Sequence, residues 1–194
     1  FISYGQHPEN VKKNNIITLD NLLKFSNYEK VIGIGETGLD YYHSKENKNE
    51  QIKSFENHIE CSYSNNLPLI IHQRDSENDL IDIIKNYYNK NKLKIVFHCF
   101  TGTDKLKNFC LDNNFYISLS GIITFKNAQN LRETIRDFPL NNILVETDSP
   151  FLSPEPRRGK VNEPANINFI IEYLSIFFKI SINKLSEITD NNFY

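Results

Sequence analysis

The sequence contains no methionine and no tryptophan, and it is sparing with glycine, proline and cysteine. Its 194 residues include 7 Gly, 7 Pro and 3 Cys. Phe1 is too bulky to follow a removed initiator methionine, so we expect this sequence to lie inside a longer polypeptide. Three cysteines with no Cys-x-x-Cys pair argue against a disulfide scaffold and indicate a reducing compartment. We therefore expect a cytoplasmic location, with the nucleus as the alternative.

The sequence also lacks an excess of positive charge and a long apolar run. Lys and Arg number 22 against 24 Asp and Glu, giving a net charge of -2. This excludes a broadly basic nucleic-acid surface, although an enzyme that holds phosphates locally or through metals stays compatible. The longest apolar stretch, Ile167 to Ile182, is interrupted by Asn168, Glu172 and Lys179. We expect no membrane association and no obligate protein partner.

Four short apolar segments each end at a side chain that can bind a metal ion. Such segments are typical of buried strands. They are Val31–Asp40, Leu67–Arg74, Lys94–Phe100 and Ile143–Pro150, and their metal-binding side chains are Glu36, His72, His98 and Asp148. In the first segment we place the end of the strand at Glu36, before a glycine turn. Four occurrences of one arrangement indicate a shared purpose.

Strands alternate with amphipathic helical segments, which predicts parallel βαβ units. The clearest helix spans Lys48–Asn65, with Ile52, Phe55, Ile59 and Tyr63 along one face. We count six strands, whereas a (β/α)8 barrel typically needs about 250 residues. The prediction is an α/β TIM-type barrel of the metal-dependent hydrolase type, lacking its first βα unit. Residues 1–194 would form a single domain, incomplete at the N terminus and a few residues short at the C terminus.

An open doubly wound sheet is the alternative fold, but it gives no reason for a metal ligand at so many strand ends. In a barrel these ends meet at one mouth, where catalytic groups lie. Taken singly, a histidine after a strand is more often a core or surface residue, and a glutamate before glycine is often only a loop charge. Together, two histidines and two carboxylates suit Zn²⁺, Mn²⁺ or Mg²⁺. A metal held there can activate water for hydrolysis.

A series of motifs, in chain order, resembles the TatD family of metal-dependent deoxyribonucleases. The motifs are Gly5-Gln6-His7-Pro8, Gly35-Glu36-Thr37-Gly38-Leu39-Asp40, Ile71-His72-Gln73-Arg74, His98-Cys99-Phe100-Thr101-Gly102, Glu146-Thr147-Asp148-Ser149-Pro150, Arg158-Gly159-Lys160-Val161-Asn162-Glu163-Pro164 and Asn191-Asn192-Phe193. The resemblance covers the whole chain. It implies a barrel hydrolase that cuts DNA phosphodiester bonds with one or two divalent metal ions.

The resemblance also implies roles for single residues. Glu36 would bridge the metals and act in catalysis, and His72 and His98 would hold one of them. Asp148 would hold the other metal and orient the attacking water. His7, Arg74 and Arg158 would bind substrate phosphate. Without that role, His7 would be an ordinary turn residue, and the two arginines would be surface ion-pair partners. His43 and His58 match no ligand position, and we predict both at the solvated surface.

One family feature is missing, and its absence leaves other functions open. The family's first strand carries a His-x-His pair that supplies further ligands, and this sequence contains no such pair. Either the sequence starts after that segment or the gene product has lost it. A related barrel hydrolase acting on amide or ester bonds is one alternative function. A non-catalytic scaffold without its metal site is the other.

Overall fold

A computed structural model of the protein describes residues 1–88 and 93–194. The chain packs as two compact units, Phe1–His98 and Cys99–Tyr194. The strands are β1 Ile2–Tyr4, β2 Val31–Asp40, β3 Leu69–Arg74, β4 Ile95–Phe97, β5 Tyr116–Leu119 and β6 Ile143–Val145. The α-helices are α1 Leu19–Ser26, α2 Lys48–Asn65, α3 Glu77–Tyr88, α4 Asp104–Asp112, α5 Gln129–Thr134, α6 Ile167–Phe178 and α7 Ile182–Phe193. Short 3₁₀ turns lie at Pro8–Asn10, Gly121–Thr124, Leu140–Asn142 and Pro164–Asn166.

The first unit is built on four parallel strands in the order β1, β2, β3, β4. Ile34 pairs with Leu69 and Ile71 pairs with Phe97, and all four of these side chains are buried. On β3, buried Leu69 and Ile71 alternate with more exposed residues because successive side chains on a strand point to opposite faces. Since the strands are parallel, residues at their carboxyl ends share one edge of the sheet.

The sequence explains where two helices of the first unit begin or end. The Thr18 hydroxyl accepts a hydrogen bond from the Asn21 N–H and so caps the start of α1. Helix α2 buries Phe55 and Ile59 and ends at Asn66, whose φ of 53° is the left-handed conformation of a helix C-cap. The predicted bounds of α2 are confirmed.

Strand β2 is longer than the sequence predicts, because it does not end at Glu36. Its last residues continue to pair with β3, from Thr37 opposite Ile71 to Asp40 opposite Arg74. The register shifts between Ile34 and Thr37. Gly38 has a φ of 135°, and a Cβ there would overlap the His72 carbonyl oxygen. The glycine that indicates a turn in the sequence is therefore what lets β2 run close beside the backbone of His72.

The second unit contains the parallel pair β5 and β6, in which Ile117 lies opposite Ile143. Both side chains are fully buried, as is Leu185 of α7. The Asn192 amide donates hydrogen bonds to the Leu140 and Ile143 carbonyls, both at 2.7 Å, and so fixes the end of α7 against the start of β6.

The six predicted strands are confirmed within residues 1–88 and 93–194. The Thr103 hydroxyl caps α4 by accepting a hydrogen bond from the Lys105 N–H. No single helix in the described ranges has the length and hydropathy to cross a membrane. One pair of helices, Pro164–Phe178 and Ile182–Phe193, together meets the length and composition requirements for a membrane span, but the chain bends by 107° between them.

Candidate metal centre

The first unit brings four of the predicted site residues into one cluster. His7 follows β1, Glu36 and His72 lie within β2 and β3, and His98 directly follows β4. Potential ligand atoms of His7, Glu36 and His72 all lie within 4.8 Å of one another. The Glu36 carboxylate is 3.5 Å from His98 Nε2 and 3.8 Å from His7 Nε2. Parallel pairing of the strands thus brings together side chains that lie up to three βα units apart in the sequence.

Burial keeps two histidines of this cluster, His72 and His7, in the neutral form. The pKa of His72 falls to about 4, chiefly because burial penalises the charged ring and then because His7 lies beside it. Burial also lowers the pKa of His7, although the Glu36 carboxylate opposes the shift. Metals bind the neutral form of imidazole. Both rings are therefore in the metal-binding protonation state at neutral pH.

His7 is oriented as a hydrogen-bond donor. Its Nδ1 accepts the backbone N–H of Glu9 at 3.3 Å. In a neutral imidazole one nitrogen accepts and the other carries the proton, so His7 Nε2 carries an N–H. That N–H faces the cluster, 3.8 Å from the Glu36 carboxylate. The arrangement suits contact with a phosphate or water better than metal ligation.

Asp40, which the sequence analysis did not select, forms a buried junction behind the cluster. Its carboxylate is 2.9 Å from His72 Nε2, from His43 Nδ1 and from the His43 backbone nitrogen. Burial raises the pKa of a carboxyl, but hydrogen bonds from the His43 backbone, then from the His43 and His72 side chains, outweigh it and lower the pKa of Asp40. Its position at the end of the Gly35–Asp40 motif was the available signal.

The remaining donors fit a divalent cation. The cluster offers a carboxylate and imidazoles, a mixed oxygen and nitrogen set that favours Zn²⁺ or Mn²⁺ and admits Mg²⁺. Glu36, His72 and His98 are the residues that would hold it, with His7 at the open side. Glu36 and His72 are half-buried, so the cluster is reachable from solvent.

Arg74 lies on the same side of β3 as His72, two residues further on. Its guanidinium carbon is 3.8 Å from the centre of the Tyr42 ring, a cation–π contact. In the described part of the chain the guanidinium makes no hydrogen bond or ion pair. It is thus held in place by stacking while its N–H donors stay available.

In the second unit, Asp148 follows β6 with a φ of 56° and sits in a loop held by Asn162. The Asn162 amide donates to the carbonyls of Thr147 and Phe151, both at 2.7 Å, and its backbone N–H donates to Pro150. Asn162 is a buried residue that the sequence analysis left without a role. Its contacts fix the backbone on both sides of Asp148.

Arg158, also in the second unit, repeats the arrangement of Arg74. Its guanidinium carbon is 3.8 Å from the centre of the Phe125 ring. Among the residues the structure describes, it has no hydrogen-bond or ion-pair partner. Within the described residues, neither arginine therefore forms the surface ion pair that would be its ordinary role. Their predicted contact with substrate phosphate stays a prediction.

The prediction that His58 lies at the solvated surface is wrong. Its side chain is fully buried: Nε2 accepts the Gln6 backbone N–H at 2.9 Å, and Nδ1–H donates to the Ser54 carbonyl at 2.6 Å. His58 lies three residues after Phe55, on the face that α2 buries, and this spacing was a usable signal. His43 is exposed, as predicted, and its Nδ1 lies 2.9 Å from the carboxylates of both Asp40 and Glu9.

We expect His58 to make stability fall in mild acid. Burial lowers its pKa to about 4, against 6.5 unfolded, so the unfolded chain binds the extra proton between these values. The contribution is complete above pH 6.5 and is lost as the pH falls towards 4, about 3 kcal/mol in all. Urea unfolding of the wild type and His58→Gln at pH 7.5 and 5 measures it. The variant should lose less stability than the wild type over this interval, and equal losses would contradict the assignment.

A protein-family model described as TatD related DNase matches residues 1–194. The chain is 48% identical over 199 residues to the uncharacterized metal-dependent hydrolase BU355 of Buchnera aphidicola, covering 100% of this chain and 75% of that protein. It is 40% identical over 191 residues to the uncharacterized metal-dependent hydrolase YcfH of Escherichia coli, covering 98% and 71%.

Among solved structures, the fold is similar to that of YJJV, a TatD homolog from Escherichia coli. The TM-score is 0.89 at 24% identity, and the match covers 99% of this chain and 74% of the other. At this identity the likeness concerns the fold alone. The fold class is therefore the TIM-barrel type of the metal-dependent hydrolases, which confirms that part of the prediction. The absence of a first βα unit stays a prediction.

Proposed function

The chain belongs to the TatD-related DNase family of metal-dependent hydrolases, and from this membership we propose that it cleaves DNA phosphodiester bonds with water. The observation that carries the proposal is one cluster on four neighbouring parallel strands, in which Glu36 and His72 lie within β2 and β3 while His7 and His98 follow β1 and β4. A carboxylate and imidazoles at this spacing are a donor set that suits a divalent ion.

Each residue of the cluster has a distinct proposed task. Glu36, His72 and His98 hold a divalent cation, which when bound lowers the pKa of water and polarises a phosphoryl oxygen. His7 directs its Nε2–H toward the place of the substrate and donates to a phosphate oxygen. Glu36 is the proposed bridge to a second cation. The family's His-x-His ligands for that position are not among these residues.

Asp148 and the two arginines complete the proposal on the strength of their motifs. Asp148 would bind metal and orient the attacking water, in a loop whose backbone Asn162 fixes. Arg74 and Arg158 would bind phosphate through guanidinium N–H groups that stacking on Tyr42 and Phe125 leaves unpaired. Such local contacts suit a protein whose net charge is -2. DNA is thus proposed as the partner, held at the site and not over a wide basic surface.

The proposal is tested by incubating the purified protein with labelled single-stranded and double-stranded DNA. Mg²⁺, Mn²⁺ and Zn²⁺ are added singly after removal of bound metal. We expect cleavage that requires the metal and stops with a chelator. Parallel assays use an aryl ester, an N-acyl amino acid and a phosphotriester. Intact DNA together with hydrolysis of an ester or amide would instead favour a related barrel hydrolase.

The same preparation tests whether the protein is a scaffold that has lost its metal. We expect about one bound divalent ion per chain or more, and a higher melting temperature when metal is added, because a ligand that binds only the folded state stabilises it. A metal content below about a tenth of an equivalent, with no thermal shift, would indicate the scaffold.

A further inference from the structure

Asp40 is a buried acceptor beside the candidate metal centre, and several hydrogen bonds hold it in place. Its side chain is fully buried at the end of β2. Gln51, also fully buried, holds its backbone on both sides: Gln51 Oε1 accepts the Asp40 N–H at 2.8 Å, and Gln51 Nε2 donates to the Asp40 carbonyl at 3.1 Å. The His43 N–H donates to Asp40 Oδ1 at 2.9 Å. Asp40 Oδ2 then faces two ring nitrogens, His72 Nε2 and His43 Nδ1, each 2.9 Å away.

We propose that Asp40 is a positioning residue, which fixes the His72 proton on Nε2 and so presents the Nδ1 lone pair to the metal. This rests on the proposed metal centre and is independent of DNA as the substrate. An ionised carboxylate can only accept hydrogen bonds, so the Nε2 that faces it carries the proton. The opposite tautomer would bring the Nε2 lone pair and a carboxylate oxygen to 2.9 Å with no hydrogen between them.

The tautomer matters because a neutral imidazole has one lone pair to offer. With the proton on Nε2, Nδ1 is free to bind, and the ring cannot rotate without losing its hydrogen bond to Asp40. A carboxylate behind a metal-bound histidine also makes that histidine a stronger donor. Removal of such a carboxylate typically weakens metal binding about 10- to 100-fold.

A purely structural role for Asp40 is the competing explanation. In that case Asp40 would only hold the turn after β2 through His43, and His72 would keep its tautomer and its metal affinity without it. The two explanations therefore differ in two measurable quantities, the protonated nitrogen of His72 and the metal dissociation constant.

The first experiment is decided by spectra of the wild-type protein. Long-range ¹H–¹⁵N spectra of metal-free protein labelled at histidine nitrogens distinguish the two tautomers, and the sequence has only 5 histidines to assign. A His72→Gln sample identifies the signals that belong to residue 72. We expect His72 to be protonated at Nε2. A His72 ring protonated at Nδ1 would overturn the proposal.

The second experiment measures metal affinity in Asp40→Asn. The amide keeps the shape but has only one accepting oxygen, so it cannot accept from His72 Nε2 and from the His43 backbone N–H together. We expect binding of Mn²⁺ and Zn²⁺ to weaken about 10- to 100-fold, with melting of the metal-free protein measured beside it. The matched control is Asp79→Asn, which removes a carboxylate bonded to the neighbouring residue Tyr41 at 2.8 Å. The control should bind metal within about threefold of the wild type.

The results distinguish a failure of the Asp40 positioning role from a failure of the proposed nuclease function. Affinity of Asp40→Asn within about threefold of the wild type would overturn the positioning role. Should that variant fail to fold, the spectra of the wild type still decide. A wild type that binds metal with the expected tautomer but leaves DNA intact would count against the nuclease proposal alone.

Discussion

Replacing Glu36 with glutamine is expected to abolish metal binding at the first unit's cluster and to lower kcat/KM for DNA cleavage by about a thousandfold or more. The Glu36 carboxylate lies between the rings of His98 and His7, at 3.5 and 3.8 Å. The amide has nearly the same shape, so the fold stays. It lacks the negative charge that offsets a divalent ion, and a thousandfold loss corresponds to about 4 kcal/mol of transition-state stabilisation.

Metal stoichiometry and steady-state kinetics on the same preparations check this expectation. The matched control is Glu29→Gln, an exposed carboxylate in the same unit, two residues before β2 begins. It should leave both metal binding and kcat/KM within about twofold of the wild type. If Glu36→Gln retained a full equivalent of tightly bound metal and wild-type turnover, the candidate centre would be wrong.

The parts of this site that the sequence predicts share one property: they follow from periodicity along the chain. A buried parallel strand reads as an apolar run, and parallel pairing brings carboxyl ends to one edge, so Glu36, His72 and His98 could be expected to meet. Neither step needs knowledge of which side chains touch. Helix α2 was predicted correctly for the same reason, since its apolar face recurs with helical spacing.

The parts that escaped prediction depend on contacts between distant residues. Asp40 meets His72 across 32 positions, and the His58 ring meets the Gln6 N–H across 52. A polar residue on an apolar face is ambiguous in a sequence, because its burial depends on a partner that the local pattern does not identify. The extension of β2 was missed because Gly38 has the same appearance in a turn as in a strand that passes close to another backbone.

The second large effect is expected from Asp148→Asn, with a fall in kcat of about a hundredfold or more and little change in the folded structure. Asp148 is proposed to orient the attacking water as well as to bind metal, so its loss should act on turnover more than on substrate binding. Asn162 fixes the loop around it: the side-chain amide donates to the Thr147 and Phe151 carbonyls and the backbone N–H donates to the Pro150 carbonyl, and none of these three bonds uses the Asp148 carboxylate. Kinetics at saturating DNA measure kcat directly.

A matched control for Asp148→Asn is Asp137→Asn, a second-unit carboxylate that is 73% exposed and pairs with Lys107. An exposed ion pair contributes little, so this control should keep wild-type turnover and melting temperature. Because Glu36, His72 and His98 stay intact in Asp148→Asn, that variant should still bind at least one metal ion while losing turnover. This separates Asp148 from Glu36, whose replacement removes both. Wild-type kcat in Asp148→Asn would contradict its role, and loss of all bound metal would make it a ligand of the same ion that Glu36 holds.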